Sequence, residues 1–572
     1  MNIKINTLPR NKIRDILLFL CTGLLAWTIG SHLGKVNTLG SIFRELFIPS
    51  VPFIFLIVVI AITDFSNFKI NNLFSLFKPR INFRFHYLII SLGVGIISGI
   101  IAFQYGHLGY LYIPLFLFVL VSFFAAIILS FKNRPLNGLI IFFACAPIII
   151  FLERDFNVYY NYAIGEGDYL WGLIAVTPMF IFVFSLFFIH MSIKLLQRSK
   201  FEKSPLTKPI IAFILVIVLT TLIASNDLLG SFRSIISQIF IPLIFFFITI
   251  NCVKTKEDIA KTLMFILTYT VLTCFISFYF YGWFGEVTVA EARGEIASQQ
   301  RGFQYTYMVN LIFGFPLCLL FIEIAKNKLV RFGSILGVVF LSIFAVITQF
   351  FSAILSIIVG SFLLVINSSY RKVFATILVV LLIMAILVPS LSAVFTTRFE
   401  NVSLKSLPTY VVYSLGHARL IGFQGAMRMI KDYPLCGVGF GMEGKYNHLY
   451  SDPIIYISRD IYNRKIEIVD YQDSHQLYLG YATQSGILGL SVLLYLLLTI
   501  VIISIKNIRH SLGKHDKIIN LCKFGVIIGY LTINLFSDTG FASGVNFITG
   551  CVFWTVVGLT CVMGRLQIQK QS

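Results

Sequence analysis

The segment SHQLYLGYATQSGILGLSVLLYLLLTIVIISI, residues 474–505, contains no Asp, Glu, Lys or Arg. About 20 apolar residues are enough to cross a bilayer as a helix, so this segment is predicted to span a membrane. The longest hydrophilic stretch of the chain, residues 396–474, runs directly into it and ends in Asp473-Ser474-His475-Gln476. Because polar residues are scarce elsewhere, we expect the function of the protein to reside at this junction.

The composition of the whole chain indicates the same class of protein. Of its 572 residues, 58% are hydrophobic and 12% are charged, and the mean hydropathy is +0.88. A soluble protein could not bury this much apolar surface. The chain is therefore predicted to be an all-α polytopic membrane protein with about 14–16 transmembrane helices. The candidate spans are residues 15–31, 46–63, 87–103, 110–130, 136–152, 168–193, 209–224, 234–252, 262–283, 305–325, 332–350, 351–366, 373–395, 475–504, 521–537 and 547–563.

The distribution of charge predicts the orientation of these spans. Cytoplasmic connectors of membrane proteins are enriched in Lys and Arg. Basic residues collect in alternate connectors such as 69–84, 254–261 and 326–331, whereas the connectors between them include 153–168, 284–304 and 396–474. Both termini are therefore predicted to be cytoplasmic and the large loop periplasmic. The net charge of +20 follows from this topology and does not indicate a nucleic-acid partner.

The same pattern predicts four parts of the chain. Residues 1–208 form an N-terminal transmembrane bundle that serves as a scaffold, because its outer loops are short and its spans contain few polar groups. Residues 209–395 form the central helices, which include the first periplasmic loop, 284–304. Residues 396–474 form the large periplasmic loop, and residues 475–572 form the C-terminal helices. Both long outer loops belong to the second half, so the active site is expected there.

The large loop contains a predicted amphipathic helix, which is expected to lie on the outer surface along the bilayer, followed by a predicted turn. Apolar residues at 420, 423, 427 and 430 have the spacing of one helical face, and Pro434 should end that helix. Three glycines then alternate in Gly437-Val438-Gly439-Phe440-Gly441. This pattern is typical of a tight turn, whose N–H groups either face an anion or form an ordinary loop.

Three residues near the predicted membrane surface could take part in chemistry. His475 could accept a proton from a hydroxyl group, or it could hydrogen-bond to a lipid headgroup or a loop carbonyl. Arg301 precedes the span 305–325, where a guanidinium can bind a phosphate through two parallel hydrogen bonds or anchor the helix at the headgroups. Arg293 stands between Glu291 and Glu295, which can pair with it.

Several residues of the second half occur in an order that resembles a known family. They are Arg419, Met427, Pro434, the glycines of 437–441, then Ser474-His475-Gln476-Leu477-Tyr478-Leu479 and Gly486-Ile487-Leu488-Gly489-Leu490. This order is similar to the C-terminal signature of the O-antigen ligase and O-antigen polymerase superfamily. The resemblance extends over roughly residues 300–563 and is strongest over 419–490. The chain departs from the usual pattern at Thr348-Gln349-Phe350, where many members carry Ser-Arg, and at Gln476, where Asn is common.

The resemblance implies a GT-C-like, inverting and metal-independent glycosyltransferase of the bacterial inner membrane, which needs no cofactor. Its donor would be a glycan linked to undecaprenyl diphosphate. Its acceptor would be a second lipid-linked repeat unit in a polymerase, which we favour, or lipid A-core in a ligase. His475 would be the general base. Arg419 and Arg301 would bind the diphosphate, with Arg293 and Arg428 as further candidates. Membrane lipids and a chain-length regulator are the other expected partners, and no nucleic acid is expected.

A transporter or flippase of lipid-linked glycans is the alternative from another functional class. Such a protein would favour internal repeats, helices broken by Gly or Pro and charged groups at the middle of the membrane. The sequence contains no clear example of these features. Superposition of the two halves as structural repeats would distinguish a transporter from an enzyme.

The predicted topology can be tested at Ser451, in the large loop. In a background where Cys436, the one native cysteine of that loop, is replaced by serine, Ser451→Cys should react with an impermeant maleimide in intact spheroplasts. The same background without the new cysteine is the control. Labelling of Ser451→Cys only after lysis would contradict the periplasmic placement of the loop.

Overall fold

The structure, a computed structural model, describes residues 202–278, 296–347, 351–395, 422–450, 454–459, 464–469, 476–535 and 547–571, with isolated positions between 136 and 143. Only the backbone is described for some of these residues, among them 296–309, 384–395 and the two strands. The chain divides into two compact units, Met1–Ile193 and Lys194–Ser572. Nearly all described residues belong to the second unit. The division into four functional parts stays a prediction.

The described residues of the second unit are almost all helical. In chain order the helices are α1 (Thr207–Ala224), α2 (Leu228–Ile235), α3 (Ile241–Cys252), α4 (Lys256–Phe278), α5 (Ile296–Ile324), α6 (Lys328–Ile347), α7 (Phe351–Asn367), α8 (Arg371–Phe395), α9 (422–432), α10 (Glu443–Tyr450), α11 (Leu477–Arg509), α12 (Lys514–Ile533) and α13 (Phe547–Gln571). A π-helical turn, Ile236–Phe240, joins α2 to α3.

These helices confirm the predicted fold class, an all-α polytopic membrane protein. Each span predicted from residue 209 onward overlaps one of them. Within the described part of the chain, five helices are long and apolar enough to cross a membrane. The first six predicted spans lie essentially outside the described residues, so the total number of spans stays a prediction.

One boundary differs from the prediction. The first outer loop was expected to continue to residue 304, but α5 begins at Ile296, so residues 296–304 are helical. The segment between Ile296 and Tyr305 contains Ala297, Gln299, Gln300 and Arg301, which are good helix formers. The apolar run 305–325 therefore predicts only the part of α5 that can lie in the membrane. The helix begins nine residues before that run.

The large loop also contains a β-hairpin that the sequence analysis did not predict. Strands β1 (Ile454–Arg459) and β2 (Arg464–Val469) pair in antiparallel fashion, with Ile454 opposite Val469 and Arg459 opposite Arg464. The reason is visible in the composition of the strands, because Ile and Val favour extended backbone. The loop therefore contains a pair of strands in addition to its helices.

The helices pack through small residues and large aromatic residues. Gly360 of α7 and Gly525 of α12 bring their backbones so close that a Cβ on either glycine would collide with the carbonyl oxygen of the other. Small residues at such crossings are typical of membrane helix pairs. Nearby, Tyr530 stacks on Phe553 with 4.2 Å between ring centroids. The core of the second unit is therefore closely packed around α12, which contacts α7 through glycines and α13 through aromatic rings.

Charged residues join the helix ends on the face that the charge pattern predicts to be cytoplasmic. Glu202 accepts from Lys254 at 2.7 Å and from Arg565 at 2.9 Å. Lys256 forms an ion pair with Asp516. These contacts bring the connectors before α1, before α4 and before α12 to the same end of the unit as the last helix, α13. Their placement agrees with the alternation of connectors that the topology prediction rests on.

The helix α11 is broken at Gly486. The backbone at this glycine has φ 65° and ψ −167°, a conformation that only glycine adopts readily. A Cβ at Gly486 would also collide with the carbonyl oxygen of Leu435. Residues 477–485 therefore form a short helix, and residues 487–509 form the membrane span. At about 1.5 Å per residue, 487–509 is long enough to cross a hydrocarbon core of roughly 30 Å.

We expect Gly486→Ala to destabilise the protein. An L-residue with a positive φ costs roughly 1–2 kcal/mol, and the contact with Leu435 adds to that cost. The matched control is Gly333→Ala in α6, where a Cβ meets nothing within 4 Å. Thermal unfolding of the purified variants in detergent should show a clearly lower midpoint for Gly486→Ala than for Gly333→Ala. Equal midpoints would mean that the break is not obligatory.

Candidate functional site

The glycine-rich turn of the large loop pairs directly with the break in α11. A broken helix leaves backbone N–H and C=O groups without helical partners, and buried groups of this kind need hydrogen bonds. The segment 434–439 supplies them. The bonds are Val438 N–H to Thr483 C=O (2.9 Å), Gly439 N–H to Gln484 C=O (3.0 Å) and Ile487 N–H to Pro434 C=O (2.9 Å). The turn and the break therefore form one backbone unit.

The other N–H groups of the turn also donate within the protein. Gly437 donates to Tyr433 C=O at 3.1 Å, and Gly441 donates to Oε1 of Gln484 at 2.9 Å. Phe440 N–H lies 3.4 Å from Oγ1 of Thr221. Of the two alternatives that the sequence left open, this arrangement favours a structural loop over a turn whose N–H groups face an anion.

The turn fits into the corner between the end of α1 and the start of α2. Gly439 has φ 99°, and a Cβ there would lie 2.6 Å from Cβ of Ser225. Phe440 is fully buried, and its ring lies edge-on to Tyr481 with 5.5 Å between centroids. The glycines are therefore required by close packing, and Phe440 fixes the turn against the short helix 477–485.

A buried carboxylate and a buried amide lock this arrangement. Gln484 donates through Nε2 to Oε2 of Glu443 at 3.1 Å, while its Oε1 accepts from Gly441. Glu443 opens α10 and is 5% exposed, and Gln484 is 7% exposed. A carboxylate is costly to bury unless it is hydrogen-bonded, so the hydrogen bond from Gln484 stabilises the buried Glu443. The sequence does not predict the role of Glu443, because one acidic residue in a polar loop gives no signal of burial.

The start of α11 is attached to the end of α12. Gln476 donates through Nε2 to Leu535 C=O at 2.9 Å, and Leu477 N–H donates to Asn534 C=O at 3.3 Å. The hydroxyl of Tyr478 donates to Leu531 C=O at 3.2 Å. The short helix 477–485 is thus held at both ends. The end of α12 holds Gln476, Leu477 and Tyr478, and the segment 434–439 holds residues 483–487.

The predicted site residues are described only in part. His475, Arg419 and Arg293 lie outside the described residues. Arg301 lies in α5, where only the backbone is described. Arg428 is exposed on α9 and donates through Nη1 to Tyr450 C=O at 2.9 Å. The proposed roles of all five residues in catalysis and in diphosphate binding stay predictions.

The helix predicted after Arg419 is present as α9, which ends at residue 432, two residues before Pro434. Its buried face differs from the apolar stripe at 423 and 427. The buried residues are Gly422, Gly425, Ala426 and Met429, whereas Phe423 is 44% and Met427 is 48% exposed. Small side chains let the helix approach its neighbours closely, and Met429 packs with Val438 and Met442. The larger apolar residues therefore point away from the protein.

An ion pair lies at the exposed edge of the site, which we call the rim. Asp227 caps α2 by accepting from Gly230 N–H at 2.9 Å, and it pairs with Lys445 of α10 at 2.6 Å. The hydrogen bond from Lys445, followed by that from Gly230, lowers the pKa of the Asp227 carboxyl below its usual value. Asp227 therefore stays ionised at neutral pH and connects α10 to the first two helices.

Comparison with known proteins finds a family whose model matches this region. Residues 336–494 match the family described as O-antigen ligase. The match includes the glycine turn, Glu443, the break at Gly486 and the start of α11, and it contains the whole of 419–490, where the resemblance was strongest. It confirms the predicted resemblance and indicates an enzyme of the O-antigen ligase type in a multi-pass membrane protein. No curated protein matches the chain.

The Gln484–Glu443 pair gives a prediction on stability. Gln484→Met keeps the approximate volume but removes one hydrogen bond to a backbone N–H and one to a carboxylate, which together contribute about 2–4 kcal/mol. Gln424→Met on the exposed face of α9 is the control. We expect Gln484→Met to lose its monodisperse state at a distinctly lower temperature than Gln424→Met in size-exclusion measurements after heating. The same behaviour in both variants would contradict the role of this pair.

Proposed function

We propose that the protein is a metal-independent, inverting glycosyltransferase that acts on undecaprenyl-diphosphate-linked glycans at the periplasmic face of the inner membrane. The observation that carries the proposal is the family match over residues 336–494, which covers a place where the described part of the chain holds a polar motif at the start of a membrane span. In that place the turn 437–441 and the end of α12 hold the short helix that follows His475. A rigid attachment of this kind is what a catalytic group requires.

The proposed reaction forms one bond and breaks one bond. The oxygen of a sugar hydroxyl attacks the anomeric carbon of the donor glycan, and the bond from that carbon to the diphosphate oxygen breaks. Undecaprenyl diphosphate leaves with the bonding electrons, and the configuration of the anomeric carbon inverts. His475 accepts the proton of the attacking hydroxyl as general base. The diphosphate is already a good leaving group, so the reaction needs neither a nucleotide nor a metal ion.

Arginines are the proposed ligands of the diphosphate. Arg419 and Arg301 are the first candidates, because a guanidinium can donate two parallel hydrogen bonds to phosphate oxygens. Arg293 and Arg428 are further candidates. Arg301 lies in α5, which begins at Ile296, and this supports its role, since a helix positions its residues firmly.

We favour a polymerase over a ligase, since Thr348-Gln349-Phe350 replaces the Ser-Arg that many family members carry. The acceptor would then be a second lipid-linked repeat unit, with a chain-length regulator as partner. Lipopolysaccharide from a deletion strain tests this choice on a gel. Loss of a polymerase leaves core that carries single repeat units, whereas loss of a ligase leaves core without any repeat unit.

We expect His475→Ala to abolish glycan transfer while the protein still inserts into the membrane and still binds the lipid-linked donor. A general base contributes about 10² to 10⁴ in rate, which is enough to remove long chains from a gel. His448→Ala in α10 is the control and should be near neutral. Normal chains from His475→Ala at matched expression would show that His475 is not the base.

We expect Arg419→Lys to lose most of the activity although the charge is kept. A lysine cannot reproduce the planar pair of donors, and a charge-assisted hydrogen bond of about 1.5–3 kcal/mol corresponds to roughly a 10- to 150-fold lower rate. The measurement is the distribution of chain lengths in cells that contain equal amounts of each protein. Wild-type chains from Arg419→Lys would identify Arg419 as an anchor and not as a ligand of the diphosphate.

A further inference from the structure

A row of large apolar side chains remains exposed on the polar loop. Phe423 is 44%, Met427 is 48% and Leu435 is 62% exposed. The first two lie one turn apart on α9, and Leu435 follows three residues after the helix ends. Large apolar side chains that are exposed close together mark an interaction site. We call Phe423, Met427 and Leu435 the apolar row.

The apolar row is continuous with the outer surface of the span 487–509. Pro434 C=O accepts from Ile487 N–H at 2.9 Å, which brings the end of the row next to the first residues of the span. Those residues are themselves exposed, Ile487 by 51% and Leu488 by 47%. An apolar surface on a membrane span contacts lipid, so the same lipid continues onto the row.

The depth of the apolar row follows from the helix ends that surround it. The span 487–509 begins at Ile487, and α1 ends at Ala224. Gly439 lies against Ser225, the residue after α1, and it also pairs with Gln484, just before the break. Two spans therefore end at the level of the turn 437–441. Leu435, whose C=O lies 3.5 Å from Leu488 N–H, is at the same level, so the apolar row begins where the span 487–509 begins.

Polar residues run beside the apolar row on α9. Gln424, Arg428 and Lys431 are exposed and follow one another at helical spacing. An apolar stripe flanked by Lys and Arg is typical of helices that lie in the membrane interface, because the basic side chains can reach the phosphates of lipid headgroups. This charge favours a phospholipid surface over an apolar protein partner.

We propose that α9 and residues 433–435 lie in the leaflet on the side of the large loop. Phe423, Met427 and Leu435 insert among the acyl chains of bilayer phospholipids, and Arg428 and Lys431 lie at the level of the phosphates. Part of the longest hydrophilic segment of the sequence is thus an interfacial membrane anchor. This inference concerns the placement of the loop and stands independently of the proposed glycosyltransferase activity.

Site-specific photocrosslinking in a defined bilayer tests the inference. The full-length chain carries p-benzoylphenylalanine in place of Phe423, Met427 or Leu435, and the monodisperse protein is placed in nanodiscs of phosphatidylethanolamine and phosphatidylglycerol. After illumination, mass spectrometry should detect phospholipid adducts on peptides that contain these positions. The control is the same photoreactive residue at Lys445, which is exposed and pairs with Asp227 on the rim, and it should give at least tenfold less adduct.

Two outcomes would overturn the inference. The first is an absence of phospholipid adducts at all three positions, or a yield no higher than at Lys445, which would place the apolar row in water. The second is crosslinking of these positions to a second copy of the chain, or to another segment of the same chain, in place of lipid. Because mass spectrometry detects the covalent adducts directly, neither outcome depends on whether the protein transfers glycans.

Discussion

The loss of helical hydrogen bonds at Gly486 is the constraint on which the rest of the site depends. A break at the end of a membrane span frees backbone groups that cannot be left without partners near lipid. The segment 434–439 provides those partners through Val438, Gly439 and Pro434. Positive φ values at Gly437, Gly439 and Gly441 let this segment bend into the space. The break and the turn therefore require each other, which explains why glycines occur in both parts of the motif.

This mutual attachment determines where the functional groups can be. The turn fixes residues 483–487, and the end of α12 fixes Gln476 and Tyr478, so the short helix between them has both ends anchored. The break lies at the end of the span, whereas the broken helices of transporters lie near the middle of the membrane. A motif at the membrane surface suits an enzyme whose donor diphosphate lies at headgroup level. The placement thus favours the glycosyltransferase proposal over a transporter.

The sequence predicted the parts of this protein that depend on local pattern. Long apolar runs predicted the spans that appear as α1, α3 to α8 and α11 to α13, and helical spacing together with Pro434 predicted α9 and its end. The short helices α2 and α10 were not predicted. What the sequence could not predict depends on distant contacts. The stripe at Phe423 and Met427 predicted an amphipathic helix, but it gave no indication that α9 packs against the protein through Gly422, Gly425 and Ala426. Glu443 is buried only because Gln484 of another helix meets it, and Gly486 breaks α11 only because Leu435 approaches it. Hydropathy predicts which residues can cross the membrane, but it does not predict where the helix begins. Thus α5 begins at Ile296 and includes Arg301, although the predicted span begins at residue 305.

Amide hydrogen exchange of residues 437–441 tests the central claim most directly. In the full-length protein in nanodiscs, the N–H groups of Val438 and Gly439 should exchange as slowly as those of the span 487–509, because they donate to the broken helix and are buried. The exposed residues 512–513 of the connector after α11 are the internal reference for a loop with fast exchange, and the exchange rate of that connector is taken from them. Exchange of Val438 and Gly439 at the rate of that connector would contradict the account, since the turn could not then hold the two halves of α11.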